Sequence, residues 1–255
     1  MGPRFAGGNV VVRSRDEREL TVVTFNVRYS EDVAGAIDEL VAAGLLEADV
    51  VALQEMDREA TCAIANALGM SWVYYPASVH RGRDFGNAIL SRWPFIDDHK
   101  VVLPGRAPFD GRARIAVAAR LDGPCGPFFI VSVHNETLLA GEIAQRAQVA
   151  AVWGDALAPY RNLPGVVAGD FNIVSEQLLA WMVERFALQG MQHVAPPPRS
   201  TTARSMLGEH ALDHIFARGF VASGAGVAPS RGASDHHAVW ASLRARCTLR
   251  GGESR

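Results

Sequence analysis

Apolar and polar positions along the chain fall into two alternating patterns. Short runs rich in Val, Ile, Leu and Phe recur at Leu20–Val27, Asp49–Leu53, Trp72–Tyr75, Ala88–Leu90, Ile115–Leu121, Phe128–Val133, Val166–Ala168, His214–Phe216 and Ala238–Leu243. Each has the length of a buried strand. Segments with helical spacing lie between some of them, at Val33–Leu46, Glu59–Leu68, Gly141–Leu157 and Gln177–Leu188. In the third, Ile143, Ala147, Ala150, Ala151 and Leu157 can share one stripe, which would turn Glu142, Gln145, Arg146 and Asp155 outward. Three strands follow one another directly between Ala88 and Val133, which predicts antiparallel neighbours, whereas Leu20–Val27 and Asp49–Leu53 are joined through a helix. The mixture predicts a layered α/β protein whose sheets are not purely parallel. Turn-forming clusters at Leu103–Gly111, Gly123–Pro127 and Pro196–Pro198 are too short for interdomain linkers. One domain is expected over 20–245, with an N-terminal segment and possible first strand over 1–19 and a flexible tail over 246–255.

Composition adds exclusions. The 255 residues are 49% hydrophobic and 20% charged, which rules out a disordered or fibrous chain. The 25 basic and 27 acidic residues leave a net charge of −2, so a polyanion would have to be gripped locally or through a metal. Cys62, Cys125 and Cys247 are odd in number and lack CxxC spacing, which predicts independent thiols, a reducing compartment and no zinc site. No signal-peptide h-region and no stretch of about 18 apolar residues is present, so a cytoplasmic protein without a transmembrane segment is expected, as a monomer.

Candidate chemistry sits where polar residues interrupt the apolar runs. Asn26 follows Leu20–Phe25, and Gln54 and Glu55 follow Val50–Leu53. Asn87 precedes Ala88, His134 ends Phe128–Val133, and Asp170 and Asn172 close Val166–Gly169. Asp213 opens the run at His214, and Ser234, Asp235 and His236 open the last strand. Any one of these is ordinary alone: Asn26 a turn residue, Glu55 a first-turn helix acid, GDFN a tight turn, each histidine a satisfied one. Together they put many oxygen donors and two histidines at strand ends, where side chains from several elements can converge. Hard oxygen donors without a Cys/His cluster suit Mg²⁺, with Mn²⁺ or Ca²⁺ as substitutes, rather than zinc. Such a site would serve a phosphoester substrate.

The motifs TFNVR (Thr24–Arg28), LQE (Leu53–Glu55), GNAILSR (Gly86–Arg92), VH (Val133–His134), GDFN (Gly169–Asn172), LDHIF (Leu212–Phe216) and SDHHAV (Ser234–Val239) resemble, in order, those of the endonuclease/exonuclease/phosphatase superfamily. The resemblance runs from about Thr21 to Leu243. It implies a four-layer αββα sandwich of two mixed sheets. It also implies that Glu55 is the principal metal carboxylate, with Asn26 beside it and Asp235 near the metal. Asp170 would activate water, Asn172 hold the scissile phosphate, Asp213 orient His236, and His134 contact a phosphate oxygen or assist the leaving group. Asn87, with Arg28, Arg112 and Arg114, would contact substrate. His237 and His214 should point away by strand alternation, and His80, His99 and His193 are expected on the surface.

Two departures limit the substrate. Arg28 stands where apurinic-site endonucleases carry an acid, and after His134 the chain reads NETLLAGEIAQ rather than the commoner leucine-led continuation. The expected activity is metal-dependent hydrolysis of a nuclease-like phosphodiester. A phospholipid or inositol-phosphate headgroup is the rival substrate, and a non-catalytic binding member of the fold is the rival class.

Overall fold

A computed structural model describes residues 3–9, 18–123, 125–205 and 208–246; the expected tail beyond 246 lies outside them. The strands are β1 (Phe5–Gly7), β2 (Glu19–Asn26), β3 (Val50–Met56), β4 (Ser71–His80), β5 (Arg83–Ser91), β6 (Phe95–Val102), β7 (Ile115–Gly123), β8 (Gly126–His134), β9 (Gly165–Asp170), β10 (Gln192–Ala195), β11 (Ala203–Ser205), β12 (Gly208–His210), β13 (Asp213–Arg218), β14 (Phe220–Ala228) and β15 (Ala238–Ala245). Among the described residues four α-helices accompany them: α1 (Val33–Ala42), α2 (Arg58–Leu68), α3 (Glu142–Ala151) and α4 (Glu176–Leu188). Seven strands form one sheet in the order β1-β4-β5-β3-β2-β15-β14, six form a second in the order β10-β13-β9-β8-β7-β6, and β11 pairs with β12. Both large sheets are mixed. β2–β3 and β8–β9 are parallel, and the other pairs within them are antiparallel.

Strand alternation sorts the apolar residues into three layers. Val22, Val50, Ala52, Ile89, Val117, Ile130, Val166, Ile215 and Val239 belong to the cluster between the sheets. Their neighbours Val23, Phe25, Val51 and Leu53 point outward and are covered by Leu40 of α1 and Ile64 and Leu68 of α2. Phe129, Val131 and Val167 point outward from the second sheet onto Val149 of α3 and Leu178, Met182 and Phe186 of α4. The architecture is therefore the expected four-layer sandwich. None of the four helices is long and apolar enough to cross a membrane.

Local signals set the helix ends. Asp32, Asp57 and Ser175 accept hydrogen bonds from Gly35 N, Ala60 N and Leu178 N at their helix starts. The predicted first helix stops at Ala42, and Gly44 in the left-handed region redirects the chain into a short 3₁₀ turn at Leu45–Glu47. The predicted third helix ends at Ala151 and continues as one π turn over Val152–Ala156. Cys62 carries a free thiol, but Cys125 is disulfide-bonded, which corrects the expectation of independent thiols. It also removes an argument for a reducing compartment.

Candidate active site

Parallel pairing of β2 with β3 and of β8 with β9 brings four strand ends to one rim, aligning Asn26 with Gln54 and His134 with Asp170. Antiparallel β13 adds Asp213 opposite Asp170. The loop before β15 supplies His236, whose backbone N–H donates to Ser234 Oγ, while that hydroxyl donates to the Asn26 carbonyl at 2.7 Å. The bonds of Asn26 Nδ2 to Asp170 and of His236 Nδ1 to Asp213 tie the two sheets together at the site.

Backbone conformation at the rim is unusual. Glu55 (φ 60°) and Asn172 (φ 53°) are left-handed, as are the consecutive Arg28, Tyr29 and Ser30. Such conformations cost on the order of 1–3 kcal/mol each and persist where the surroundings enforce them. Glu55 lies within a register shift between Leu53 and Met56, and the Tyr29 N–H donates to its Oε2 at 3.1 Å. Gly169 is required by close approach: a Cβ there would lie 2.0 Å from the Val133 carbonyl oxygen. Phe171 anchors the next turn among Phe186 and Phe216, and the Asn172 N–H closes it by donating to Asp170 Oδ1 at 2.9 Å.

Asp170 is the centre of the cluster. Its Oδ2 accepts from Asn26 Nδ2 at 3.1 Å and Asn172 Nδ2 at 3.0 Å. Two imidazole nitrogens face that oxygen beyond hydrogen-bond range, His134 Nε2 at 3.6 Å and His236 Nε2 at 3.8 Å. Glu55 Oε1 lies 3.7 Å from His134 Nε2. Behind His236, its Nδ1–H donates to Asp213 Oδ2 at 2.8 Å, and the same oxygen accepts from Thr202 Oγ1. The Thr202 hydroxyl oxygen in turn accepts from the Leu212 and Asp213 N–H groups.

The electrostatics separate the two histidines. Burial works against a charged His236, but Asp213 and Asp170 outweigh it and raise its pKa to about 10. His134 goes the other way: burial, then the positive charges of Arg114, His236 and Arg112, hold it well below the usual histidine range. Asp170 is pushed up to about 7 by burial, against the pull of His236 and with a further rise from Asp213. Burial likewise raises Glu55, opposed by Arg114 and His236.

The acids of the site bear on the expected cation. Glu55, Asp170 and Asp213 share one enclosed rim, so negative charge there is only partly compensated, and a hard divalent ion would relieve it. The residues fit such an ion. Asp170, Asp213 and His236 lie close enough to serve as ligands, which differs from the expected set of Asn26, Glu55 and Asp235. His236 and Asp213 are already bound to one another and the imidazole is held protonated, so that pair is poorly placed to ligate. Asp235 is exposed and acts on Glu55 and His236 through its charge.

The remaining expected residues divide. Asn87 is buried beneath the site, donating to the Ile115 and Ser132 carbonyls and so bridging the sheets. Arg114 is also buried, with its guanidinium committed to Glu136 at 2.5 Å and lying 2.9 Å from His134 Nε2, so it is not free for substrate. Arg112 covers the Tyr29 and Phe85 rings and pairs with Asp110; Arg28 is on the surface beside Glu31. His237 turns away, its Nδ1 accepting from the Ser230 N–H, and His214 packs on Phe171 on the opposite face of β13. His80 departs from a surface role by stacking on Tyr29 in a pocket of about 110 Å³ that also reaches Glu55, Arg81, Arg83 and Phe85. Sequence reading missed Thr202, Glu136, Gln145 and Gln148, all buried polar supports of this rim. Glu136 and Asn135 directly after His134 were the available signal.

Comparison with known proteins agrees with this fold. The model of the Endonuclease/Exonuclease/phosphatase family matches residues 23–236. A UPF0294 protein of Vibrio cholerae (El Tor Inaba N16961) is 32% identical over 115 residues, covering 45% of this chain and 39% of the relative. Among solved structures, an endonuclease/exonuclease/phosphatase from Beutenbergia cavernae superposes with TM-score 0.71 at 21% identity, over 89% of this chain and 72% of that one. The D. rerio TDP2 complexed with single-strand DNA product gives 0.71 at 16% identity, over 89% and 99%. The human Nocturnin catalytic domain gives 0.70 at 18% identity, over 94% and 96%.

Proposed function

The chain belongs to the endonuclease/exonuclease/phosphatase family, and from that premise we propose that it hydrolyses phosphodiesters with water as nucleophile and Mg²⁺ as cofactor. The observation that carries this reading is the spacing around Asp170: two imidazole nitrogens stand 3.6 and 3.8 Å from one carboxylate oxygen. Three polar groups, each fixed by other bonds, are thus aimed at one point that a substrate oxygen would share. Glu55 and Asn26 would hold the cation, with Asp235 near it; the ion would supply charge neutralisation to a phosphate oxygen.

Every other contribution belongs to the chain. Asp170, raised toward neutral pH, takes the proton of the attacking water, the range in which a base works best. Asn172 donates to the phosphate, and protonated His236 meets the negative charge that builds on it. Asp213, held by Thr202, fixes the tautomer and orientation of His236. Neutral His134 would contact a phosphate oxygen or assist the leaving group once its Nε2 exchanges the Arg114 guanidinium for substrate.

A nuclease-like diester is the first substrate expected from sequence, and a structural neighbour solved with a single-strand DNA product supports it. The test is release from plasmid DNA, single-stranded DNA, RNA, sphingomyelin, inositol phosphates and bis-p-nitrophenyl phosphate with Mg²⁺, Mn²⁺ or EDTA. Asp170→Asn and His236→Ala should each lower kcat about a hundredfold or more with folding intact. No metal-dependent release from any substrate would favour the non-catalytic binding reading instead.

A further inference from the structure

The loop that delivers His236 has little apolar substance of its own. From Ser230 to His236 it is built of small and polar residues, and Ala233 is the member that packs into the core beneath α1. Hydrogen bonds must therefore set its path. Ser230 Oγ accepts from the Gly232 and Ser234 N–H groups at 3.3 and 3.2 Å, and Ser234 Oγ accepts from the His236 N–H at 3.1 Å. The C-terminal half is tied to the site itself: Ser234 Oγ donates to the Asn26 carbonyl, the Arg204 N–H donates to the Asp235 carbonyl, and the His237 N–H donates to the Thr202 carbonyl.

The N-terminal half is tied to one carboxylate outside the site. Glu39 of α1 accepts at Oε1 from the Arg231 N–H at 2.6 Å and the Ala233 N–H at 3.1 Å, and the Ser230 hydroxyl lies 3.0 Å from the same oxygen. Among the described residues, every hydrogen bond between α1 and this loop ends on that atom, and the buried Oε2 has no partner. Glu39 also lines two grooves, of about 370 and 280 Å³, where α1 faces the loop and the end of β14. It stands between them as a post. The helix that carries it is fixed, with Asp32 capping its start and Ala36 and Leu40 buried against the first sheet.

This arrangement bears on the site because His236 is placed by its backbone as well as by Asp213. Its Nδ1 is held at 2.8 Å from Asp213 Oδ2, and its Nε2 stands 3.8 Å from Asp170. A shift of about 1 Å in a reacting group can cost about a hundredfold in rate. Ala233, whose N–H is bonded to Glu39, lies three residues before His236, and the path between them runs through Ser234.

Resting on the catalytic reading of His236, we propose that Glu39 is a positioning residue for it, a charged acceptor on α1 that holds the Ser230–Ser234 loop so that the imidazole stays against Asp213 and over Asp170. The test compares Glu39→Gln, which keeps an oxygen acceptor at the same reach, with Glu39→Ala, which removes it, and Glu39→Asp, which keeps the charge but withdraws it by one methylene. Hydrolysis of bis-p-nitrophenyl phosphate with Mg²⁺ should lose about tenfold or more in kcat in the Ala and Asp variants, with KM nearly unchanged, and the Gln variant should stay near wild type. A second readout needs no activity. In ¹H–¹⁵N spectra of the imidazoles, exchange of the His236 Nδ1–H with water should speed about tenfold or more in the Ala and Asp variants, be restored in the Gln variant, and leave the His214 signal unmoved. Should the Ala variant fail to fold, Asp against Gln carries the comparison. A wild type inactive on every substrate but showing this exchange pattern would refute the catalytic reading and uphold the positioning. Unchanged His236 exchange in the Ala and Asp variants, the same acceleration in the Gln variant, or equal acceleration at His214 would overturn the proposal.

Discussion

Acid should weaken this fold through His214, the residue after Asp213 on β13. Its Nε2 lies 3.1 Å from the Ala211 carbonyl oxygen, which only accepts, so Nε2 carries the proton. Its Nδ1 lies 3.1 Å from His193 Nε2 and must accept from it. The neutral ring is thereby satisfied at both nitrogens, and a second proton on Nδ1 would force His193 to give up its own Nε2 proton, next to the apolar rings of Phe171 and Phe216. Burial, reinforced by His193, lowers the His214 pKa to about 3. The unfolded chain takes up this proton below about pH 6.5, whereas the folded chain refuses it until much lower. The unfolded state therefore binds more protons across that window, and stability is full above it and falls as pH drops. At pH 5 the loss attributable to this one side chain is about 2 kcal/mol. Urea unfolding followed by tryptophan fluorescence at about pH 7.5 and about pH 5 isolates it by comparison with His214→Gln. That variant keeps an amide donor for Ala211 O but cannot titrate. Wild type should lose about 2 kcal/mol more than the variant on acidification, and parallel losses in the two proteins would refute the assignment.

Three other substitutions probe the site and its supports. Glu55→Ala should raise the Mg²⁺ concentration needed for half-maximal activity by about tenfold or more, and an unchanged metal titration would remove Glu55 from the cation shell. Gly169→Ala should destabilise the fold by about 3 kcal/mol or more, because the new methyl meets the Val133 carbonyl oxygen across the β8–β9 pair. A thermal midpoint equal to wild type would contradict that close approach. Arg114→Ala strands the buried Glu136 carboxylate and should cost about 3–5 kcal/mol. Adding Glu136→Gln should recover part of the loss, whereas simple additivity of the two changes would show the pair to be uncoupled.

Most of the sandwich was legible in the chain because buried strands announce themselves as β-branched runs. Those that escaped are the ones whose pattern is diluted. β6 (FIDDHKVV) is a half-buried edge strand whose polar positions hold Asp97, Asp98 and His99, and β14 (FVASGAGVA) is an edge strand rich in Gly and Ala. Neither contains the continuous apolar stretch that identifies a central strand. The residues around Asp170 were legible because each interrupts an apolar run at a strand end. Their supports were not. Thr202 stands in a loop far from Asp213's strand end, and its relevance lies in one hydroxyl that bridges a carboxylate and two backbone N–H groups. Arg114 read as a substrate contact because sequence showed its charge but not its buried partner. Asn87 read as a substrate contact because an amide at a strand end looks the same whether it faces a pocket or spans two sheets.

The opposite fates of His134 and His236 follow from second neighbours that sequence does not reveal. Both rings are buried and both face Asp170, so burial and that carboxylate alone would treat them alike. Asp213 behind His236 tips that ring to the charged form, while Arg114 beside His134 tips the other to neutrality. A pair of titratable groups driven apart in this way provides a cation and a neutral imidazole within reach of one reacting centre. On the proposed mechanism that division is the specificity of the site for a diester: one histidine meets the charge of the phosphate, and the other can approach the esterified oxygen without adding a second positive charge. Exchanging the neighbours tests it. Asp213→Asn should lower the His236 pKa because the hydrogen bond survives but the charge does not, and ¹H–¹⁵N correlation spectra of the imidazole should report a neutral ring near pH 7. A ring that remained protonated in that variant would place the source of its charge elsewhere than Asp213.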